Sequence, residues 1–137
     1  MTNADSVKTA LGEIGKKTAS LDVLINNAGI NGGKPPYTAL QSDPEEFLAA
    51  FQTNVIGVAR VTSAFIDLLR QSSQPRIVNV SASVGSVSLQ NNPDWPAYDF
   101  AKYAVYASSK AALNIYTVHL AYELRNTAIK VNAVCPA

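Results

Sequence analysis

The sequence predicts an α/β fold, a parallel three-stranded sheet with helices packed on both faces. Three observations carry this expectation. Short, nearly continuous apolar runs at 21–26, 76–82 and 129–134 read as strands buried in a sheet. Between successive runs lie long stretches with apolar residues at helical spacing, as crossovers between parallel strands require. Apolar residues make up 47% of the 137-residue chain and charged residues 15%, a balance that suits a well-buried α/β layer. The three strands are expected side by side in chain order.

The elements follow in turn. Residues 5–18 read as a helix with Val7, Leu11 and Ile14 on one face. The run 21–26 is the first strand, ended by the turn Asn27-Ala28-Gly29. Residues 31–42 hold two glycines and two prolines and read as a loop. Asp43-Pro44-Glu45-Glu46 starts a helix: Asp43 caps, Pro44 fits the first turn, and the acids favour the positive end of the helix dipole. That helix runs to about Gln71, with a break expected near Asn54 and Val58, Val61, Thr62, Phe65 and Leu69 on one face. Residues 72–75 end it, and 76–82 form the second strand. A loop is expected at 89–96, which contains Asn91-Asn92-Pro93 and Trp95-Pro96. A long helix at 101–126 leads to the third strand at 129–134.

Composition excludes several function classes. The net charge is +1 with no run of like charge, so there is no electrostatic footprint for nucleic acid. No apolar stretch reaches the length of a membrane span, and the start of the chain lacks the charged and apolar regions of a signal peptide. A cytoplasmic setting is expected. Cys135 is the only cysteine, which rules out an internal disulfide and favours a small packed residue. His119 is the only histidine and reads as a helix-surface or half-buried residue.

Two motifs carry chemistry. Tyr106-Ala-Ser-Ser-Lys110 places a phenol and an ammonium one helical turn apart. A free phenol titrates near ~10, too high for acid–base work at neutral pH. A neighbouring cation is expected to lower that value and make Tyr106 a proton donor to a carbonyl, or a base for the reverse step. The second motif, Asn26-Asn27-Ala28-Gly29, ends the first strand. There, side-chain amides can tie strands together, and glycine lets a ligand approach the backbone.

The string Leu-Asp-Val-Leu-Ile-Asn-Asn-Ala-Gly at 21–29, Asn54-Val55, the strand at 76–80, Tyr106-x-x-x-Lys110 and the run Ile-Lys-Val-Asn-Ala-Val-Cys-Pro at 129–136 occur in that order. Together they resemble the short-chain dehydrogenase/reductase family, over nearly the whole chain but only the middle of that family's domain. The resemblance implies a partial Rossmann-type, doubly wound sheet and an NAD- or NADP-dependent oxidoreductase that interconverts alcohols and carbonyls. It implies Tyr106 as acid–base residue and Lys110 as its partner and nicotinamide-ribose ligand. Asn54 would hold a water beside the lysine through its backbone carbonyl. Asn27, Ala28 and Gly29 would border the adenosine ribose of the cofactor, and Pro136 would also contact the cofactor. A second Tyr-x-x-x-Lys, Tyr98 to Lys102, lies 38 residues before Pro136, whereas Tyr106 lies 30 before it, the family's spacing. Tyr98 is expected in a loop or a pocket wall.

The chain departs from the family's pattern in three places. The slot of the proton-relay serine holds Ala82, which leaves Ser83, with Ser81 as the alternative. The stretch from Ala82 to Tyr106 is 24 residues, longer than is common, and resembles carbonyl-reductase-like branches. Its Pro93, Trp95, Pro96 and Tyr98 are expected to wall a substrate pocket. Alanine stands at position 137 where the family commonly has glycine.

No G-x-x-x-G-x-G turn occurs in the sequence. The chain therefore reads as an incomplete domain over 1–137, without the Gly-rich βαβ part and the C-terminal substrate region, and with weak or no activity in isolation. The first strand is expected to lack a sheet neighbour. The family's homodimer would form through the two long helices, with a small alcohol or carbonyl as substrate. The alternative is an inactive relative that dimerises or binds a partner, either of them with no nucleic-acid or membrane role.

Overall fold

The computed structural model describes residues 1–136. Its elements are α1 (Ala4–Gly15), β1 (Val23–Asn26), α2 (Pro44–Phe51), a π-helical turn (Gln52–Gly57), α3 (Val58–Arg70), β2 (Arg76–Val80), a 3₁₀ turn (Ser83–Gly85), α4 (Val87–Gln90), α5 (Ala104–Glu123) and β3 (Lys130–Val134). The three strands are parallel in the order β1-β2-β3, as expected. Asn26 pairs with Asn79, and Val80 with Val134, so the three strands end at the same edge.

Local chemistry explains the helix starts. Asn3 accepts from the amides of Asp5 and Ser6 and opens α1. Asp43 accepts from the Glu45 amide, with Pro44 in the first turn of α2. The break expected near Asn54 is the π-helical turn, which joins α2 to α3 without a loop. Ser86 caps the short helix α4, whose residues reach into the segment expected to be a loop. The helix expected from 101 begins at Ala104: Tyr103 before it is non-helical (φ −99°, ψ 79°), and the Ala104 amide donates to the Tyr37 carbonyl (3.0 Å).

The helices do not cover both faces of the sheet. Helices α3 and α5 pack on one face, and α1 lies against α3. The cause is winding direction. Strands added in one direction by right-handed crossovers bring every connecting helix to the same side. The chain holds one winding direction of a doubly wound fold. Leu69, Ile77, Leu124 and Ile129 form the core on the covered face, with Leu24, Ile66 and Val131 packed against them. On the other face Val23, Ile25 and Val134 are 46%, 60% and 40% exposed. β1 is an edge strand, as expected.

A buried polar chain crosses the covered face. The Asn26 amide donates to the Thr62 hydroxyl (3.1 Å) and to Asn79 Oδ1 (2.9 Å). Asn79 Nδ2 donates to the Thr117 hydroxyl (2.9 Å), which donates to the Leu113 carbonyl (2.8 Å). All four side chains are buried, so β1, β2, α3 and α5 are tied together where water cannot compete.

Candidate active site

The site lies where the strands end. The turns after β1, β2 and β3 meet there, and α5 crosses behind them with Tyr106 and Lys110 on one face. Lys110 is almost fully buried, and its Nζ donates to the Val80 carbonyl at the end of β2 (2.7 Å). Gly85 makes this approach possible. A Cβ at Gly85 would stand 2.7 Å from both the backbone carbon and the Cβ of Lys110, so the 3₁₀ turn can lie flat on α5 only without one.

The phenol is not activated in the way its spacing suggests. Lys110 Nζ sits 5.5 Å from the Tyr106 ring centroid, over the ring face, with its proton directed at Val80. Burial pushes the Tyr106 phenol above the ordinary tyrosine value, and negative charge at Cys135 adds to this. Burial also holds the Lys110 ammonium below the ordinary lysine value. The cation therefore does not lower the phenol here, because desolvation of the hydroxyl outweighs a charge that lies over the ring. Tyr106 is a protonated phenol at neutral pH, and a weaker acid than a free tyrosine.

Asn54 is fully buried in the π-helical turn, where its side chain closes the loop after β1. Its Oδ1 accepts from the Ile30 amide (2.8 Å), and its Nδ2 donates to the Ile30 carbonyl (2.8 Å) and to the Ser109 hydroxyl (2.9 Å). Ser109 donates in turn to the Tyr106 carbonyl (2.8 Å). This side-chain link from the turn after β1 to the Tyr106 turn of α5 was not anticipated. The only signal for it in the sequence is an asparagine and a serine in helices that polar residues disfavour.

Gly29 is exposed, and a Cβ there would lie 3.2 Å from Asn54 Oδ1 and 3.5 Å from Lys110 Nζ. The glycine keeps an open slot beside the lysine. Asn27 and Ala28, also exposed, precede it, and Pro136 follows β3 at the same end of the sheet. Ser81 is buried, with its hydroxyl donating to Asn114 Oδ1 (2.6 Å). Ser83 is exposed in the 3₁₀ turn, and its amide points to Cys135 Sγ (3.2 Å). Cys135 is itself exposed rather than packed. Position 137 lies outside the described residues.

The second tyrosine–lysine pair is in the turns before α5. Lys102 Nζ stacks on the Tyr98 ring at 3.9 Å. Pro93, Trp95, Pro96 and Tyr98 are not among the residues that line two cavities beside α5, which Gln90 borders. His119 is exposed on α5, beside a groove between α3 and α5.

Comparison with known proteins matches this geometry. The family model described as short chain dehydrogenase matches residues 1–137. A short-chain dehydrogenase, anuI, of Penicillium roqueforti is 36% identical over 136 residues, covering 96% of this chain and 52% of that protein. An NADPH-bound carbonyl reductase from chicken fatty liver superposes with a TM-score of 0.81 at 27% identity, over 98% of this chain and 53% of that one. A short-chain dehydrogenase from Escherichia coli complexed with NADPH gives 0.80 at 25% identity, over 98% and 50%. The chain thus spans about half the length of the relatives it matches. With the motifs in order, the strands in parallel and the tyrosine–lysine face behind their ends, the chain belongs to the short-chain dehydrogenase/reductase family.

Proposed function

We propose that this protein is an NAD(P)-dependent oxidoreductase interconverting a small alcohol and its carbonyl, with residues 1–137 as the central part of its cofactor-binding domain. The observation that carries the reading is Lys110. Its ammonium is buried at the end of β2, beside the open slot at Gly29 and on the same helix face as Tyr106.

The residues present fit part of such a dinucleotide. Lys110 presents an ammonium to the nicotinamide ribose, Gly29 has no side chain to block the slot beside it, and Asn27, Ala28 and Gly29 border the adenosine ribose at the strand ends where Pro136 also stands. When bound, the dinucleotide supplies the hydride. Tyr106 gives its proton to the carbonyl oxygen of the substrate as the hydride arrives, when the alkoxide that forms is a stronger base than the phenolate left behind. Lys110 holds the ribose and compensates negative charge on the phenol. Asn54 keeps the turn after β1 in place and contributes its backbone carbonyl to a water beside the lysine. Ser83 is the hydrogen-bond donor to the substrate oxygen. Ser81 is the weaker candidate, because its hydroxyl is committed to Asn114. The setting belonging to this reading is cytoplasmic. Homo-oligomers would form through the long helices, where Ile115, Val118 and Tyr122 form an exposed apolar stripe on α5.

That stripe also supports a second reading, a non-enzymatic relative that dimerises or binds a partner. Transfer of deuterium separates the two. The chain is incubated with 4-deuterated NADPH or NADH and a panel of ketones, and the alcohols are analysed by mass spectrometry. Deuterated alcohol in trace yield from wild type, in line with the weak activity expected of the isolated chain, and none from Tyr106→Phe is expected. No transfer from a folded protein that binds the dinucleotide would favour the second reading.

A further inference from the structure

A cavity of about 450 Å³ lies between the turn at 36–39 and the start of α5, and Tyr106 does not line it. Its size is within the range of about 300–1,000 Å³ typical of small-molecule sites. Two aromatic rings form one side. Tyr37 and Tyr103 meet edge to face, with centroids 5.2 Å apart and planes at 63°. Tyr37 has φ 63°, a left-handed conformation that residues with a side chain seldom adopt. It is held there by the Ala104 amide, which donates to its carbonyl (3.0 Å), and by its own amide, which donates to the Lys34 carbonyl (2.8 Å). Uncommon backbone maintained by surrounding bonds is a mark of ligand sites. Ala107 forms part of the wall and leaves room between the rings and the helix.

The polar rim offers donors and no acid. Lys102 points two of its three protons at neutral oxygens of Gln90, at 2.9 and 3.1 Å, and pairs with no carboxylate among the described residues. Gln90 is itself fixed, since its Nε2 donates to the carbonyls of Val84 (3.2 Å) and Ala101 (2.8 Å). The ammonium is thus oriented before any ligand arrives, held by Gln90 and by the Tyr98 ring 3.9 Å away, and no carboxylate among the described residues neutralises its charge. Ser108 adds a hydroxyl on the same side.

We propose that this cavity binds a planar aromatic carboxylate, with its ring against Tyr37 and Tyr103 and its carboxylate on Lys102. The site stands apart from the Tyr106–Lys110 face and does not depend on the activity proposed above.

The test is calorimetric titration of the full chain with 2-naphthoate and with its uncharged analogue 2-naphthalenemethanol. Saturable one-site binding of the naphthoate is expected. Lys102→Met, which keeps the aliphatic stem, should weaken it at least tenfold, and the alcohol should bind correspondingly less tightly. Ala107→Leu should abolish binding while circular dichroism stays native. Should that variant not fold, Ser108→Leu fills the same wall. The proposal is overturned if the naphthoate does not saturate, if Lys102→Met binds it equally, if binding survives the cavity-filling variant, or if NADPH competes with it.

Discussion

Replacing Asn79 by leucine would break the polar chain at its centre. Asn79 is fully buried and accepts from Asn26 at 2.9 Å while donating to Thr117 at 2.9 Å. Leucine keeps the branched shape and the number of side-chain heavy atoms, so the lost polar contacts are the larger part of the cost, with the bulkier methyl groups adding to it. Two buried hydrogen bonds are lost. Thr117 keeps its bond to the Leu113 carbonyl, and Asn26 keeps its bond to Thr62. One N–H of Asn26 is left facing apolar surroundings. Two bonds at about 1 kcal/mol each and one orphaned donor at about 1–3 kcal/mol give a loss of roughly 3–5 kcal/mol. Urea denaturation followed by circular dichroism measures it. The companion variant Asn26→Leu/Asn79→Leu removes the orphan with its partner. It should cost less than the sum of the two single variants, by about 1 kcal/mol or more. A single variant within 0.5 kcal/mol of wild type, on the scale of ordinary surface changes, would refute the reasoning. Strict additivity would show that the two amides do not act as a unit.

Gly85→Ala forces the 3₁₀ turn off α5 at Lys110 and should destabilise by about 1–3 kcal/mol, the cost of overpacking, in the same urea assay. Below its folded pKa the Lys110 ammonium is buried at a cost that the unfolded chain does not carry. Stability should therefore rise with pH between that lowered pKa and the ordinary 10.5, and melting of Lys110→Met should not show the rise. Tyr106 has the opposite sign. Its raised pKa means that stability falls as pH climbs from 10.0 through the folded value, a fall that Tyr106→Phe should reduce. Ser109→Ala removes the group that accepts from Asn54, and amide hydrogen exchange at Ile30 should quicken if that link holds the turn after β1.

Strand identity, order and direction were legible because β1, β2 and β3 are short apolar runs separated by helices, a pattern with few parallel solutions. The helix start at Asp43 was legible because capping is short-range, whereas the cap at Asn3, two residues before the expected start of the first helix, was not read. The uncovered face was not read correctly, although it follows from the crossover rule once every step is taken in one direction. Tyr106 and Lys110 were legible as a pair on one helix face. What spacing does not reveal is where the ammonium points. Lys110 turns to the Val80 carbonyl, a partner 30 residues away in sequence, and the phenol is raised instead of lowered. The buried chain from Thr62 to Thr117 and the link from Asn54 to Ser109 were illegible for the same reason. Each joins residues at least 36 apart through side chains whose facing is set by packing.

The most direct test of the central claim is calorimetric titration of NADH and NADPH into the full chain and into Lys110→Ala. The account predicts binding at millimolar concentration or tighter, weakened by the substitution. Absence of binding by the folded, monodisperse wild type, or equal binding by Lys110→Ala, would contradict the assignment of the Tyr106–Lys110 face as a cofactor site.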